Sequence, residues 1–105
     1  MNTVWVVNHR GHDLSKATAY GELKVLTEGP MNVFAVDRHI KDFKSKLKNS
    51  TVNDFVLCCG SIPLNAIVTS LMLTLHGKVN LLLYNLKGEL YLARTYTAED
   101  LKDVS

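Results

Sequence analysis

The sequence predicts a small α/β protein: a Rossmann-like, mainly parallel sheet with two main helices and a C-terminal β-hairpin. Three observations predict it. Short apolar runs alternate with segments of helical period between Asn32 and Tyr84, and strand-helix-strand units place their strands parallel through right-handed connections. The run VNLLLY is followed by a polar turn and a second alternating run, as in a hairpin. The chain has 105 residues, 47% of them apolar, with a formal charge of +2. That profile fits a single domain over 1–105, which at this size buries roughly 65% of its unfolded surface.

Each element has its own signal. Thr3 to Val7 is a β-branched and aromatic run that ends in the cluster NHRGHD, a strand entering a loop. Between Leu14 and Gly29 two signals compete: Leu14, Ala17 and Ala19 favour a helical turn, whereas ELKVLTEG alternates like a short strand stopped by Gly29-Pro30. Asn32 to Val36 reads as a strand, and Asp37 as the N-cap of a helix in which Ile40, Phe43 and Leu47 recur at helical spacing. Asp54 to Cys59 lacks polar alternation, as expected of a central strand covered on both faces. Gly60-Ser61 ends it, Pro63 sits early in a helix where its missing N–H does no harm, and that helix stops at Gly77. Val79 to Tyr84 is a buried strand, Asn85 to Gly88 a turn, and Glu89 to Thr95 the returning strand. The segment from Ala98 onward adds one helical turn.

Two helices cannot cover both faces of a five- or six-stranded sheet, so one face is expected to be partly bare. The helix from Pro63 to His76 is itself apolar on more than one side. Ile67, Leu71, Leu73 and Leu75 cannot share one sheet surface at 3.6 residues per turn. A second copy is the simplest cover, which predicts a homodimer through this helix.

Charge and composition narrow the partners. A formal charge of +2 is too weak to draw nucleic acid by field alone. The basic stretch Arg38, Lys41, Lys44, Lys46 and Lys48 has no interleaved aromatics and reads as a solvated helix face. The N-terminal residues lack a signal-peptide pattern, and the run from Ile62 to Leu75 is too short and too rich in Asn, Thr and Ser to span a bilayer. A cytoplasmic chain without a membrane partner is therefore expected. Cys58 and Cys59 are neighbours on a strand, where successive side chains point to opposite faces, so a bridge between them would be strained.

In open parallel sheets ligands gather beyond the carboxyl ends of the strands. Three loops qualify: Asn8 to Asp13, Asp37 to His39, and Gly60-Ser61 with Asn65 one turn into the helix. The candidate ligand residues are Asn8, Arg10, Asp37, Gly60, Ser61 and Asn65. Arg10 suits an anion, Gly60 allows close backbone approach, and Ser61 with the next amides suits a phosphate at the helix start. The plainer reading makes Ser61 a helix cap and the first loop a polar turn. His9 and His12 are the acid/base candidates, because imidazole titrates near neutral pH. They supply only two metal ligands, short of a closed zinc site, so no metal is expected. Neither GxxxxGK[ST] nor GxGxxG occurs, and no cofactor is expected. A nucleophilic Cys58 or Cys59 would need its pKa lowered by the helix start and a histidine as base; simple burial explains these residues equally well.

Across Asp54 to Thr95, the succession DFVLCCGS, Asn65, HGKVNLLLYN and Tyr91 to Arg94 resembles a group of small uncharacterised phage and prokaryotic proteins. The loop NHRGHD, the pair Tyr20-Gly21, the stretch LTEGPMN and Asp37 extend that resemblance over most of the chain. The resemblance implies no particular activity. A second, weaker similarity is to the CARF domains that sense cyclic oligonucleotides, in which a strand ends in a Gly-Gly-Thr-Lys loop before an apolar helix. Here that loop is Cys59-Gly60-Ser61-Ile62, so the likeness implies topology and a phosphate cradle without the lysine.

Three functions fit these residues. One is a non-catalytic, dimeric phage or mobile-element accessory protein that holds a nucleotide or other phosphate-bearing ligand at the strand ends. Another is a small phosphodiesterase or ring nuclease that uses His9 or His12. The third is an interaction module whose apolar helix and hairpin edge bind a host or partner protein.

Overall fold

The computed structural model of the chain describes residues 1–102. Its five strands are β1 (Thr3–Val6), β2 (Glu22–Val25), β3 (Phe55–Leu57), β4 (Lys78–Asn85) and β5 (Leu90–Thr97). They form one sheet in the order β2-β1-β3-β4-β5. All neighbours pair parallel except β4 and β5, which form the C-terminal antiparallel hairpin. Helix α1 (Val36–Lys46) joins β2 to β3, and α2 (Ile62–His76) joins β3 to β4. Two short 3-10 helices, η1 (Ser15–Tyr20) and η2 (Glu99–Leu101), follow β1 and β5. The α/β class, the mainly parallel sheet and the hairpin agree with the sequence.

Strand alternation sets the layers. Trp5, Val7, Val56 and Val79 meet Phe43 and Leu47 of α1 and Leu64, Val68 and Met72 of α2 in one buried cluster. Val4, Val6, Leu57, Leu82 and Tyr91 turn the other way and meet Leu14 and Ala17. Both α-helices thus cover one face, and only η1 with its preceding loop covers the other. That second face is the partly bare one. Each fully buried Leu or Phe stabilises the packing by about 1.5–3 kcal/mol, so Phe43, Leu47 and Leu64 are the main anchors of the helical layer.

Asp54 secures the lower end of the sheet. Its Oδ1 accepts the Thr3 amide at 3.0 Å, and its Oδ2 accepts the Trp5 indole N–H at 3.1 Å and the Thr51 amide at 2.9 Å. Burial raises the carboxyl pKa, but these donors and the Thr51 hydroxyl overcome it and hold the group below its ordinary 3.8. β1 and β3 are thereby tied at their start through one ionised group.

Asn32 to Val36 is not a strand. Asn32 Oδ1 accepts the Phe34 amide at 3.1 Å, its carbonyl accepts the Ala35 amide at 3.3 Å, and the chain turns directly into α1. The local hydrogen bonds of Asn32 outweigh the apolar content of the run, and Phe34 is left 91% exposed. The parallel core is therefore built from β2, β1, β3 and β4, without NVFAV. Asp37 is not the N-cap either: Ala35 holds that position, and Asp37 lies in the first turn, where its charge complements the helix dipole. Both signals between Leu14 and Gly29 are realised, as η1 and then β2.

α2 follows its sequence closely. Pro63 is in its first turn and Gly77 ends it in the left-handed conformation at φ 72°, donating to the Leu73 carbonyl at 2.7 Å. Leu64, Val68 and Met72 are buried, Ile67, Leu71 and Leu73 are half-buried, and Ile62 and Leu75 are exposed. Ile40 of α1 flanks Ile67 and Leu71 along a shallow groove. α1 thus supplies part of the cover that the sequence assigned to a second copy. No helix among the described residues is long and apolar enough to cross a membrane.

Candidate functional site

The strand order turns back beside β1: the chain first steps to β2 on one side, then crosses to β3 on the other. Such a reversal separates the loops that leave β1 and β3 and opens a crevice at their carboxyl ends. Asn8 stands at that point. It is fully buried, its Nδ2 donates to Thr27 Oγ1 and to the Gly29 carbonyl at 3.0 Å each, and its Oδ1 accepts the Ser61 amide at 3.0 Å. One side chain therefore joins the ends of β1 and β2 to the start of α2. Its polar atoms are spent on the protein itself, which makes Asn8 a positioning residue.

Asn65 does similar work from α2. Its Oδ1 accepts the Cys59 amide at 3.2 Å, and its Nδ2 donates to the carbonyls of Cys59 and Ser61 at 2.8 and 2.7 Å. Gly60 lies between the two clamps at φ 71°, and a Cβ there would sit 2.4 Å from Asn8 Oδ1. Only glycine fits both the left-handed backbone and the contact. The loop is rigid as a result. The Ser61 hydroxyl makes no capping bond, and its Oγ is buried with no partner among the described residues. The amides of Gly60, Ile62 and Leu64 likewise have no acceptor among the described residues.

Beside this loop, on the thinly covered face, lies a cleft of about 470 Å³. Its walls are His12 and Asp13 of the first loop, the Leu57-Cys58-Cys59 end of β3, and Tyr84 and Tyr91. The two tyrosines are direct cross-strand partners, with ring centroids 5.2 Å apart at 63°. Asp13 Oδ1 accepts the Ser15 amide at 2.9 Å, and hydrogen bonds from Ser15 lower its carboxyl pKa. Burial raises Cys58 to about 11 and also raises Cys59, so both thiols are protonated at neutral pH. Cys58 packs with the cluster under the α-helices and Cys59 with the opposite one, as strand alternation requires. Neither is an activated nucleophile.

The remaining sequence candidates separate. His12 reaches the cleft. His9 instead extends the β1-β2 pairing, with its amide donating to Thr27 at 2.9 Å and its Nε2 bonded to the His12 carbonyl at 2.9 Å, so it braces the loop. Arg10 is exposed on the same loop. Asp37 belongs to α1, which packs on the other face, and it is not among the cleft residues. Among the described residues no three His, Cys, Asp or Glu side chains group as metal ligands. Sequence reasoning missed Tyr84 and Tyr91 because both read as ordinary strand positions. The turn falls at Leu86 to Glu89, one residue later than the sequence suggests, and that register is what brings the two rings together.

Fold and site define a small α/β protein with a mainly parallel sheet and a cleft at the strand carboxyl ends. The chain belongs to the phage Pam3 gp32-like protein family, whose family model matches residues 2–97. It is thus a member of a family of small phage proteins. No curated protein and no solved structure matches it.

Proposed function

We propose that this phage-family protein is a non-catalytic binding protein that holds a nucleotide at the carboxyl ends of β1, β3 and β4, on a sheet of Rossmann-like type. The observation that carries the reading is the cleft walled by Tyr84 and Tyr91, which offers aromatic surface to a planar ring. The position of the cleft beside the reversal in strand order supports it further. The ring enters between the tyrosines and Asp13. The phosphate lies outward, toward Ser61, the Ile62 amide at the start of α2, and Arg10. Asn8, Gly60 and Asn65 hold that edge in shape. Binding is favoured over catalysis because, among the described residues, His12 is the only imidazole that lines the cleft, one short of an acid/base pair. A homodimer through α2 completes the reading, supported by the exposed Ile62 and Leu75 and the apolar groove along Ile67 and Leu71.

Calorimetry with AMP, together with mass spectrometry of ligands released from the purified protein, tests this. Arg10→Ala is expected to weaken AMP binding about tenfold to a hundredfold, the scale of one charge-assisted contact, with the unfolding curve unchanged. His12→Ala is expected to keep most of the affinity. Turnover of a phosphodiester that falls about a hundredfold in His12→Ala would make the protein an enzyme instead. If no nucleotide binds or is released, the cleft reading fails and the interaction-module reading takes its place.

A further inference from the structure

We infer that the outer face of α1 is a second binding surface, one that holds the phosphate backbone of double-stranded DNA or RNA without reading its sequence. It lies apart from the cleft and does not depend on the nucleotide reading. From Asp37 to Lys48 five cations, Arg38, Lys41, Lys44, Lys46 and Lys48, stand against two carboxylates, Asp37 and Asp42. This segment therefore carries a balance of +3 where the whole chain carries +2, and the remainder is slightly acidic. A weak net charge hides one concentrated basic face, and local potential is what a polyanion meets. Sequence alone reads the stretch as a solvated face; the fold adds which of its charges are free.

Phe43 and Leu47 are fully buried beneath α1, which turns its opposite side outward. Arg38, Lys41 and Lys44 fall within an arc of about 120° on that outer side, all exposed, and Lys48 continues their line in the turn that follows. Asp37 is the one acid in the arc. Lys46 is engaged elsewhere, donating to the Leu26 carbonyl at 2.7 Å and pairing with Asp42 at 3.0 Å. Among the described residues Arg38, Lys41, Lys44 and Lys48 make no ion pair. At the rise of a helix these four cations extend over about 15 Å, and one strand of a duplex presents about four phosphates along that length. The face offers nothing to a lipid surface, because Phe43 and Leu47 are buried and Ile40 lies in the groove against α2. No aromatic stands among the four cations, so unpaired bases find no stacking platform there. A bare ridge of separated charges suits the backbone of a duplex.

The test is fluorescence anisotropy of a short labelled DNA duplex of mixed sequence, titrated with the full chain at several salt concentrations. The logarithm of the affinity is expected to fall against the logarithm of salt with a slope of about −3, a loss of roughly fiftyfold to a hundredfold between about 50 and 200 mM. Lys41→Gln with Lys44→Gln is expected to reduce that slope by about 2 and to weaken binding at low salt about tenfold or more, with the unfolding curve unchanged. Lys87→Gln with Lys102→Gln removes the same charge on the β4-β5 side and is expected to leave duplex binding within a few-fold of wild type. AMP titrations of the same proteins report on the cleft separately. No duplex binding at low salt, or an equal loss in both double variants, would overturn the proposal. Tighter binding to oligothymidylate or to phosphatidylserine vesicles than to the duplex would overturn it as well.

Discussion

Asn8 Oδ1 accepts the backbone N–H of Ser61 at 3.0 Å, across 53 residues of chain. This one bond sets the loop after β3 against the end of β1, and Gly60 packs onto the same side chain. Asn8→Ala would leave the half-buried Ser61 amide and Gly29 carbonyl without their partner and would remove the buried bond to Thr27 Oγ1. The expected loss is about 2–4 kcal/mol of stability, measured by urea denaturation. Gly60→Ala would be at least as damaging, because its new methyl meets Asn8 atoms and the backbone is left-handed. A Gly60→Ala protein as stable as wild type would show that the loop is free to move away from Asn8.

Asp54 should make the fold sensitive to acid. Its folded carboxyl titrates below its ordinary value of 3.8, so its contribution is present in full above that value and is lost as pH falls through the lower, folded pKa. Asp54→Asn should lower stability at pH 7 by about 1.5–3 kcal/mol, the range for hydrogen bonds to a charged group. It should also flatten the decline between pH 5 and pH 2, on the order of the window that linkage gives. Denaturation midpoints for both proteins across that range check this, and parallel pH curves would refute it.

Cys58 should resist thiol reagents. With its pKa raised to about 11 by burial, the reactive thiolate is scarce at pH 7. A thiol-disulfide dye should label the folded protein far more slowly than the urea-unfolded chain. Cys58→Ser and Cys59→Ser should leave AMP binding within a few-fold of wild type. Fast labelling of native Cys58 would restore a nucleophile to the cleft.

The α2 surface gives a prediction of assembly. Sedimentation is expected to show a dimer whose population rises with protein concentration. Ile62→Asp with Leu75→Asp should shift it to monomer without unfolding it, since both side chains are exposed on α2. A monomer at every concentration would leave α1 as the sole cover of that groove.

The α/β class, the apolar helix α2 with its Gly77 stop, the hairpin and the bare sheet face were all legible from local signals. Those signals are period, capping and turn chemistry, and each acts within a few residues. Asn8, Arg10, Gly60 and Ser61 lie in loops beyond strand ends and Asn65 one turn into α2, because sheet topology assigns loops to one edge, whereas Asp37 lies within α1.

What tertiary structure alone decided was the work each residue does there. Asn8 and Asn65 are amides that suit a ligand equally well on paper. Only the folded chain shows their polar atoms consumed within the protein, those of Asn8 partly across to the β3-α2 loop and those of Asn65 within that loop. Phe34 and its neighbours read as a strand until Asn32 accepts the Phe34 amide with its side chain and the Ala35 amide with its carbonyl. Tyr84 and Tyr91 became a wall because antiparallel register puts them opposite each other on the face that only η1 covers. Local sequence carries propensity and pattern. Which polar group meets which, and which surface stays uncovered, depends on long-range packing that no single segment encodes.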